Sequence, residues 1–213
     1  MEKKQIIVVG DGGHAHSVAE VAETAGFVVR QFLPISEGDE FFSGTLSTIG
    51  GFDLTSVSLA LGLGVNFLRA QVYGAIVGRF PSAKFPAIVH SHAWVSTQAR
   101  LGAGSVLFAH ASAGASASTG PGAVINTGAS LDHHGDLGEF ASLAPGARTG
   151  GHVTIGSRSM IGLQSGILQG LSVGADTVIG AHSLVLKDIP SLCVAYGSPC
   201  QAVRTRKTTD TYY

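Results

Sequence analysis

The sequence predicts a small parallel α/β unit followed by a parallel β-helix of six-residue repeats, and three observations support this. Residues 5–77 alternate short apolar runs with amphipathic stretches. From Val89 onward, apolar residues recur at every sixth position. Glycine makes up 30 of the 213 residues, about twice its usual share, without the Gly-X-Y register of collagen. Tight, repeated corners account for such glycine usage.

The first segment has the pattern of strand, glycine turn and helix. A β-branched run at 5–9 stops at Gly10-Asp-Gly-Gly-His14, and residues 17–25 carry apolar side chains at helical spacing. Further apolar runs follow at 27–33 and 57–63, and residues 67–77 are amphipathic with Leu68, Val72, Ala75 and Ile76 on one face. This alternation predicts a small Rossmann-like βαβ domain.

Prolines at 81 and 86 mark the junction between the two patterns. We therefore assign residues 1–84 to the amino-terminal α/β domain and residues 85–213 to the repeat domain with a carboxy-terminal tail.

The repeat keeps one register over 17 positions, from Val89 to Val185. We call these positions the anchors. They hold Leu, Ile or Val except at Ala113, Thr119 and Thr149. A period of six fits neither an α-helix nor a simple alternation, and it is typical of hexapeptide-repeat β-helices. With three hexads per coil, residues 18 apart should stack at about 4.8 Å. The residue after the anchor is glycine nine times, at 102, 114, 120, 138, 150, 156, 162, 174 and 180.

Composition excludes several classes of partner. The formal net charge is −1 and the basic residues are scattered, so we expect no nucleic-acid partner. No apolar run reaches the length of a membrane span, and the amino-terminal residues lack a signal-peptide pattern, so we expect a cytoplasmic protein. Cys193 and Cys200 have no metal-ligand spacing and are expected to be free thiols.

Three groups of residues resemble the PglD/NeuD family of bacterial acetyltransferases, within the hexapeptide-repeat acyltransferases. They are Gly10–Ala15; Asn126–His134 leading to Gly138–Ala147; and Asp188–Pro190 with Gly197–Cys200. The resemblance implies a left-handed β-helix. It also implies homotrimers with active sites between subunits, acetyl-CoA as cosubstrate, and a nucleotide-linked amino sugar or sialic acid as acceptor.

His133 falls on the family's general base, and an imidazole is suited to take the proton that an attacking amine or hydroxyl loses. The family usually has an acidic residue next, whereas this chain has His134. The group that orients His133 is therefore open among Glu139, Asp132, Asp136 and a water, or His134 shares the role of the base. We take His133, His134 and Glu139 as the candidate catalytic residues. Histidines 92 and 110, like 134 and 152, are 18 apart and should stack.

The resemblance also implies the binding residues. Gly12, Gly13, His14 and Gly64 would line the nucleotide-sugar pocket. Ser142, Gly151, Leu163 and Ala181 would contact CoA, with Ser142 standing where the family has a second histidine. Pro34-Ile35 replaces an acidic pair that contacts the nucleotide in the family. Gly10-x-Gly12-x-x-Ala15 matches a dinucleotide fingerprint, but the unit is too small for a full NAD domain.

The resulting hypothesis is an acetyl-CoA-dependent N-acetyltransferase for a UDP- or dTDP-linked 4-amino-dideoxy sugar of a bacterial surface glycan. The alternative is O-acetylation of sialic acid or another sugar. A non-catalytic sugar-nucleotide-binding solenoid and a zinc hydratase of the γ-carbonic-anhydrase kind are further alternatives. The hydratase needs two histidines five residues apart, a spacing that does not occur here, so no metal is expected.

Overall fold

The computed structural model describes residues 4–35, 43–210 and 212. The described amino-terminal residues form a parallel three-stranded sheet of order β2-β1-β3 with three helices. Its elements are β1 (Gln5–Val9), α1 (Gly13–Thr24), β2 (Val28–Leu33), α2 (Ser43–Ile49), β3 (Val57–Leu61) and α3 (Asn66–Arg79). Helix α1 begins before residue 17, where the apolar pattern places its start, because the glycine turn runs directly into the helix. Helix α2 was not predicted, since its seven residues bury only Thr45 and Ile49.

No helix in the described ranges is both long enough and apolar enough to cross a membrane.

The repeats form 17 strands of two residues, and each strand ends on one of the 17 predicted anchors. Residues 18 apart pair in parallel, as predicted; Val124, for example, pairs with Ser142. The first face contains β4 (Ile88–Val89), β7 (Val106–Leu107), β10 (Val124–Ile125), β13 (Ser142–Leu143), β16 (Met160–Ile161) and β19 (Val178–Ile179). The second face contains β5 (Trp94–Val95), β8 (Ser112–Ala113), β11 (Ser130–Leu131), β14 (Arg148–Thr149), β17 (Gly166–Ile167) and β20 (Leu184–Val185). The third face contains β6 (Arg100–Leu101), β9 (Ser118–Thr119), β12 (Asp136–Leu137), β15 (Thr154–Ile155) and β18 (Ser172–Val173).

The anchors point inward and form the core of the β-helix together with buried alanines such as Ala117 and Ala129. Two anchors are polar, and both have hydrogen-bond partners. The Thr119 hydroxyl accepts the backbone N–H of Gly102 at 3.0 Å, and the Thr149 hydroxyl accepts that of Asp132 at 3.0 Å. A threonine therefore fits the core because a backbone donor of the preceding coil satisfies its oxygen.

The corners impose two separate requirements. At the glycines after the anchors, an added Cβ would lie 2.8 Å or less from an atom of the next coil or its cap, so a side chain cannot fit there. Two residues later, from position 104 to position 182, every sixth residue has a positive φ, including His134 at 56° and His152 at 58°. Close contact with the next coil thus explains the repeated glycines that follow the anchors. A positive φ does not explain them, because it occurs two residues later.

A hairpin closes the carboxy-terminal end of the β-helix. Strand β21 (Cys193–Gly197) pairs with β19 and, antiparallel, with β22 (Cys200–Thr205). The hairpin covers the open edge of the first face, which would otherwise be free to pair with another chain. Both cysteines are buried free thiols, as predicted.

The amino-terminal unit packs on the outside of the first face. Outward residues of the first three strands there are apolar: Ile88, Val106 and Val124 form a cluster with Ile6 and Val8 of β1, and with residues of α1. The corresponding outward residues of the other two faces are mostly polar, such as Ser112 in β8 and Asp136 in β12. The apolar stripe therefore selects the face on which the amino-terminal unit docks.

A fully buried arginine joins the two parts. Helix α3 buries Asn66, Arg69, Val72 and Ile76, so the buried stripe differs from the predicted face by including Asn66 and Arg69. Arg69 donates to the backbone oxygens of Gly122 at 2.8 Å and Phe140 at 2.9 Å in the β-helix. It also donates to the Leu63 oxygen at 2.8 Å and to the Asn66 side chain at 2.8 Å.

None of the described carboxylates bonds to Arg69, and oxygen dipoles surround its guanidinium instead. Burial lowers the pKa of Arg69 to about 10, which still leaves the side chain charged at neutral pH. Substitution of such a group leaves several buried carbonyl oxygens without donors. We call this group of hydrogen bonds the Arg69 junction.

We expect Arg69→Met to lower the free energy of unfolding by about 3 kcal/mol, because hydrogen bonds to a buried charge are lost and their acceptors stay desolvated. Arg79→Met, at an exposed position of the same helix, should change it by less than about 0.5 kcal/mol. Urea unfolding of both variants measures the difference. Equal effects would contradict the assignment of the Arg69 junction as the main link between the two parts.

Candidate functional site

His133 lies at the corner that follows β11, between the second and third faces, and its side chain is exposed. Its ring covers Gly151, the residue one coil further along. A Cβ on Gly151 would overlap Cε1 and Nε2 of His133. Only glycine at 151 therefore leaves room for the imidazole in this position.

Three histidine rings meet at this corner. Nδ1 of His133 lies 3.2 Å from Nδ1 of His134. The rings of His134 and His152 stack at 4.6 Å with an interplanar angle of 10°, and both rings meet that of His133 edge-on. The predicted stacking of residues 134 and 152 is thus observed. With a proton on Nδ1 of His133 and none on Nδ1 of His134, the pair forms a hydrogen bond and leaves Nε2 of His133 as an acceptor.

None of the candidate carboxylates bonds to the His133 ring. Asp132 accepts the backbone N–H of His133 at 2.7 Å, and Asp136 accepts the Ser118 hydroxyl at 2.7 Å. Glu139 follows β12 at the next corner, where its negative charge contributes to the raised pKa of Arg158. Among the described residues, His134 is therefore the side chain that contacts Nδ1 of His133.

A cavity of about 440 Å³ lies where the amino-terminal unit ends on the first face. It contains five of the predicted binding residues, from two different sets: His14 and Gly64 for the sugar nucleotide, and Ser142, Leu163 and Ala181 for CoA. The remaining lining residues are Arg69, Val124, Asn126, Leu143, Ala144, Pro145, Met160, Gly162, Val178, Ile179, Gly180 and Tyr212. Gly12 and Gly13 are exposed beside His14 and do not line the cavity.

His14 is the unpartnered polar side chain of this cavity. Its Nε2 is buried and makes no hydrogen bond to any residue that the structure describes. Burial, together with the nearby charge of Arg69, lowers the pKa of His14 to about 4. The imidazole is therefore neutral at pH 7 and can donate to or accept from a bound ligand.

The other lining residues differ in their free hydrogen-bonding groups. The Ser142 hydroxyl donates to Asn66 at 2.7 Å and accepts from Arg69 at 3.0 Å, so it belongs to the Arg69 junction. The backbone N–H groups of Leu163 and Ala181 make no hydrogen bond within the described part of the chain. These two amides are the donors that a ligand along the carboxy-terminal coils could use.

Three residues of the cavity were not among the predicted site residues: Arg69, Asn126 and Tyr212. Arg69 had a detectable signal, because its spacing from Val72 and Ile76 puts it on the buried face of α3. Asn126 lies within the quoted central motif, one residue after an anchor. Tyr212 accepts the Asn66 backbone N–H at 2.7 Å, and nothing in the local pattern indicates this contact.

His133 does not line the cavity. The cavity residues on the β-helix belong to the first face and the corner after it, such as Asn126 and Ala181 after β10 and β19. His133 lies one corner further along the coil. Within a single chain, the histidine cluster is therefore separate from the cavity, whose lining includes His14, Gly64, Ser142, Leu163 and Ala181.

The pKa of His14 makes stability depend on pH. An unfolded histidine binds its proton near pH 6.5 and the folded one only near pH 4, so stability falls as pH drops through this window. Between pH 7.5 and 5 we expect His14 to lower the free energy of unfolding by about 2 kcal/mol. His14→Gln should lose this part of the pH dependence, whereas His16→Gln, at an exposed position of the same helix, should retain it. Denaturation at both pH values tests this, and identical slopes in the two variants would contradict it.

The comparison with solved structures extends over nearly the whole chain. The acetyltransferase domain of PglB from Neisseria gonorrhoeae, in complex with acetyl coenzyme A, is 27% identical with a TM-score of 0.84, covering 95% of this chain and 100% of that one. PerB from Caulobacter crescentus, in complex with CoA and GDP-perosamine, is 28% identical with a TM-score of 0.84, covering 94% and 97%. WeeI from Acinetobacter baumannii shares the fold at 17% identity, with a TM-score of 0.80 and coverage of 93% and 99%.

No protein-family model matches the chain, and no curated protein matches it by sequence. The fold expected from the resemblance, including its left-handed winding, is confirmed by these neighbours. The resemblance drawn from the glycine loop and the central motif is confirmed as well. The chain is thus an acetyltransferase whose motifs and fold resemble those of the PglD/NeuD-like sugar acetyltransferases with hexapeptide repeats.

Proposed function

We propose that the protein transfers the acetyl group of acetyl-CoA to the amine of a nucleotide-linked amino-dideoxy sugar, with His133 as the general base. The observation that carries this proposal is the cavity in which His14 and Gly64 of the amino-terminal unit meet Leu163 and Ala181 of the carboxy-terminal coils. It is large enough for part of a nucleotide sugar or of CoA. Solved neighbours of the same fold bind acetyl-CoA, and one binds GDP-perosamine.

The chemistry needs few protein groups. The acceptor amine attacks the thioester carbonyl carbon, a C–N bond forms, the C–S bond breaks, and the thiolate of CoA leaves. Nε2 of His133 takes the proton that the amine loses. His134, as a neutral acceptor at Nδ1 of His133, holds the tautomer in which Nε2 is free. The unpaired amides near the cavity are suited to the developing oxyanion.

We further propose that the active site is completed by a second copy of the chain in a homotrimer. Within one chain, His133 and the cavity occupy different corners of the coil, so the base of one copy must approach the cavity of another. Apolar side chains exposed on the carboxy-terminal coils support such contacts, because an isolated chain would leave them in water. They are Leu163, Leu168, Leu184, Leu186 and Leu192.

Three nucleotides are candidates for the group that carries the acceptor sugar. UDP and dTDP were the predicted nucleotides, and a solved neighbour binds a GDP-linked sugar, so all three belong in a substrate screen. Ile35 packs with the amino-terminal core and Pro34 is exposed. Neither supplies the acidic contact that the family makes there, and recognition must rest on other groups such as His14. A cytoplasmic location remains our expectation.

O-acetylation of sialic acid or another sugar remains the second candidate, since the same base can take a proton from a hydroxyl. Sialic acid carries no nucleotide diphosphate, so it would not need the first turn of α1. Thiol release with free sialic acid but with no sugar nucleotide would favour this candidate.

The decisive measurement is thiol release from acetyl-CoA with UDP-, dTDP- and GDP-linked 4-amino sugars and with sialic acid. With the active acceptor, we expect His133→Ala to lower kcat at least about 100-fold, because the general base is lost. His92→Ala, at an exposed histidine outside the cluster, should match the wild type. Equal rates for wild type and His133→Ala would move the base to another residue. A folded, CoA-binding protein that is inactive with every acceptor would argue for a different substrate class.

Gly151→Ala tests the position of the base without removing it. The added methyl group must displace the His133 ring, which is a side chain free to move outward, so we expect a small loss of stability and about a 100-fold fall in kcat. Gly166→Ala is the matched control, because a Cβ there meets only Leu184 at an ordinary 3.6 Å. Thermal unfolding and steady-state kinetics on both variants separate the two effects. Full activity of Gly151→Ala would show that the ring position observed here is not required.

A further inference from the structure

The corner at His133 holds more imidazoles than the transfer reaction needs. One base and one orienting group suffice, yet a third ring, His152, contacts both. We propose that His133, His134 and His152 form a binding site for a divalent transition-metal ion of the Zn²⁺ class, and that an ion bound there inhibits acetyl transfer. The binding site stands on its own geometry, and the inhibition rests on the proposed role of His133 as base.

The distances suit a single ion. Each of the three residues offers one ring nitrogen, and these nitrogens all lie within 4.8 Å of one another. Nitrogens bound to one tetrahedral Zn²⁺ at about 2.0–2.1 Å stand roughly 3.3 Å apart. The Nδ1 atoms of His133 and His134 are already 3.2 Å apart. Small rotations of exposed side chains would bring His152 to the same separation.

The backbone holds the three residues in this arrangement. His134 and His152 occupy equivalent positive-φ corners one coil apart, a conformation that histidine tolerates better than most residues. The His152 N–H donates to the His133 oxygen at 2.9 Å, and the His134 N–H donates to the Ala115 oxygen at 2.8 Å. The coil spacing, and not a sequence motif, thus sets the separation of the ligands. This set of histidines therefore lacks the five-residue spacing expected of the zinc hydratase, although the three rings lie close together.

The donor set defines the class of ion. Three neutral imidazoles suit Zn²⁺, Co²⁺, Ni²⁺ and Cu²⁺, whereas Mg²⁺ and Ca²⁺ require oxygen ligands. All three side chains are exposed, so a water would complete the coordination. No carboxylate is needed to hold the ion.

Binding would remove the base whichever nitrogen of His133 is used. Coordination through Nε2 occupies the lone pair that takes the proton from the acceptor. Coordination through Nδ1 leaves the proton on Nε2, since a neutral imidazole carries one proton on its two nitrogens. His133 cannot accept a proton in either case. The ion would therefore be an inhibitor and not a cofactor.

Calorimetric titration of the metal-free, untagged full-length chain with Zn²⁺ tests the site without any acetylation assay, and Co²⁺ absorption reports tetrahedral coordination. We expect one ion per chain, no binding of Mg²⁺, and at least about tenfold weaker Zn²⁺ binding for His152→Asn and for His134→Asn, which each lose one of three ligands. The matched control is His110→Asn, at an exposed corner of the same positive-φ kind. Asparagine tolerates this backbone conformation, so folding should be preserved in all three variants.

No binding to the wild type at about 100 μM Zn²⁺, or equal binding by His152→Asn and His110→Asn, would overturn the site. The inhibition is tested separately by adding Zn²⁺ to the acetylation assay and then restoring activity with a chelator. Inhibition should be weaker in His152→Asn by the same factor as binding. Zn²⁺ binding without inhibition would leave the site standing and overturn the inhibitory role, and it would also argue against His133 as the base.

Discussion

Successive coils of the β-helix are joined by backbone hydrogen bonds that place residues 18 apart side by side, and the side chains of the site take their spacing from this pairing. Because coils lie only about 4.8 Å apart, Gly151 must lack a side chain for the His133 ring to rest on it. The same spacing brings His134 and His152 into stacking contact. The geometry of the histidine cluster is therefore set by backbone pairing, and exposed rings occupy defined positions without being buried.

The second determinant is the apolar stripe on the first face. The amino-terminal unit covers its first part, where Ile88 and Val106 are buried. Further along, Ser142 and Met160 hold the equivalent outward positions, and both line the cavity. Arg69 lies at the transition, bonded to both parts, and beside His14. Because none of the described carboxylates pairs with Arg69, its charge keeps this end of the cavity electropositive, which suits an anionic ligand such as a diphosphate or the phosphates of CoA.

Repetition explains what could be predicted from the sequence. Each inward anchor meets the same environment as the anchor one coil away, so the strand ends follow from periodicity alone. The Arg69 junction could not be predicted in this way, because most of its partners are backbone oxygens, which carry no sequence signal. The repeat register already puts His133 at a different corner from Leu163 and Ala181, because their separations from His133 are not multiples of 18 residues. The docking of His14 and Gly64 at that other corner carried no such signal. Helix α2 lacked enough apolar residues to form a pattern.

The positive-φ corners have a further consequence for how such a chain changes. Nine of the fourteen corners from 104 to 182 carry a side chain, and five of these side chains are exposed: His110, His134, His152, Gln164 and His182. Backbone bonds between coils hold the conformation there, so the residue type is largely released from the demands of folding. A substitution at one exposed corner changes the surface there without changing the backbone. The nearest corner side chain lies one coil away. New binding specificity can therefore arise at the exposed corners of the β-helix while the buried anchors stay the same.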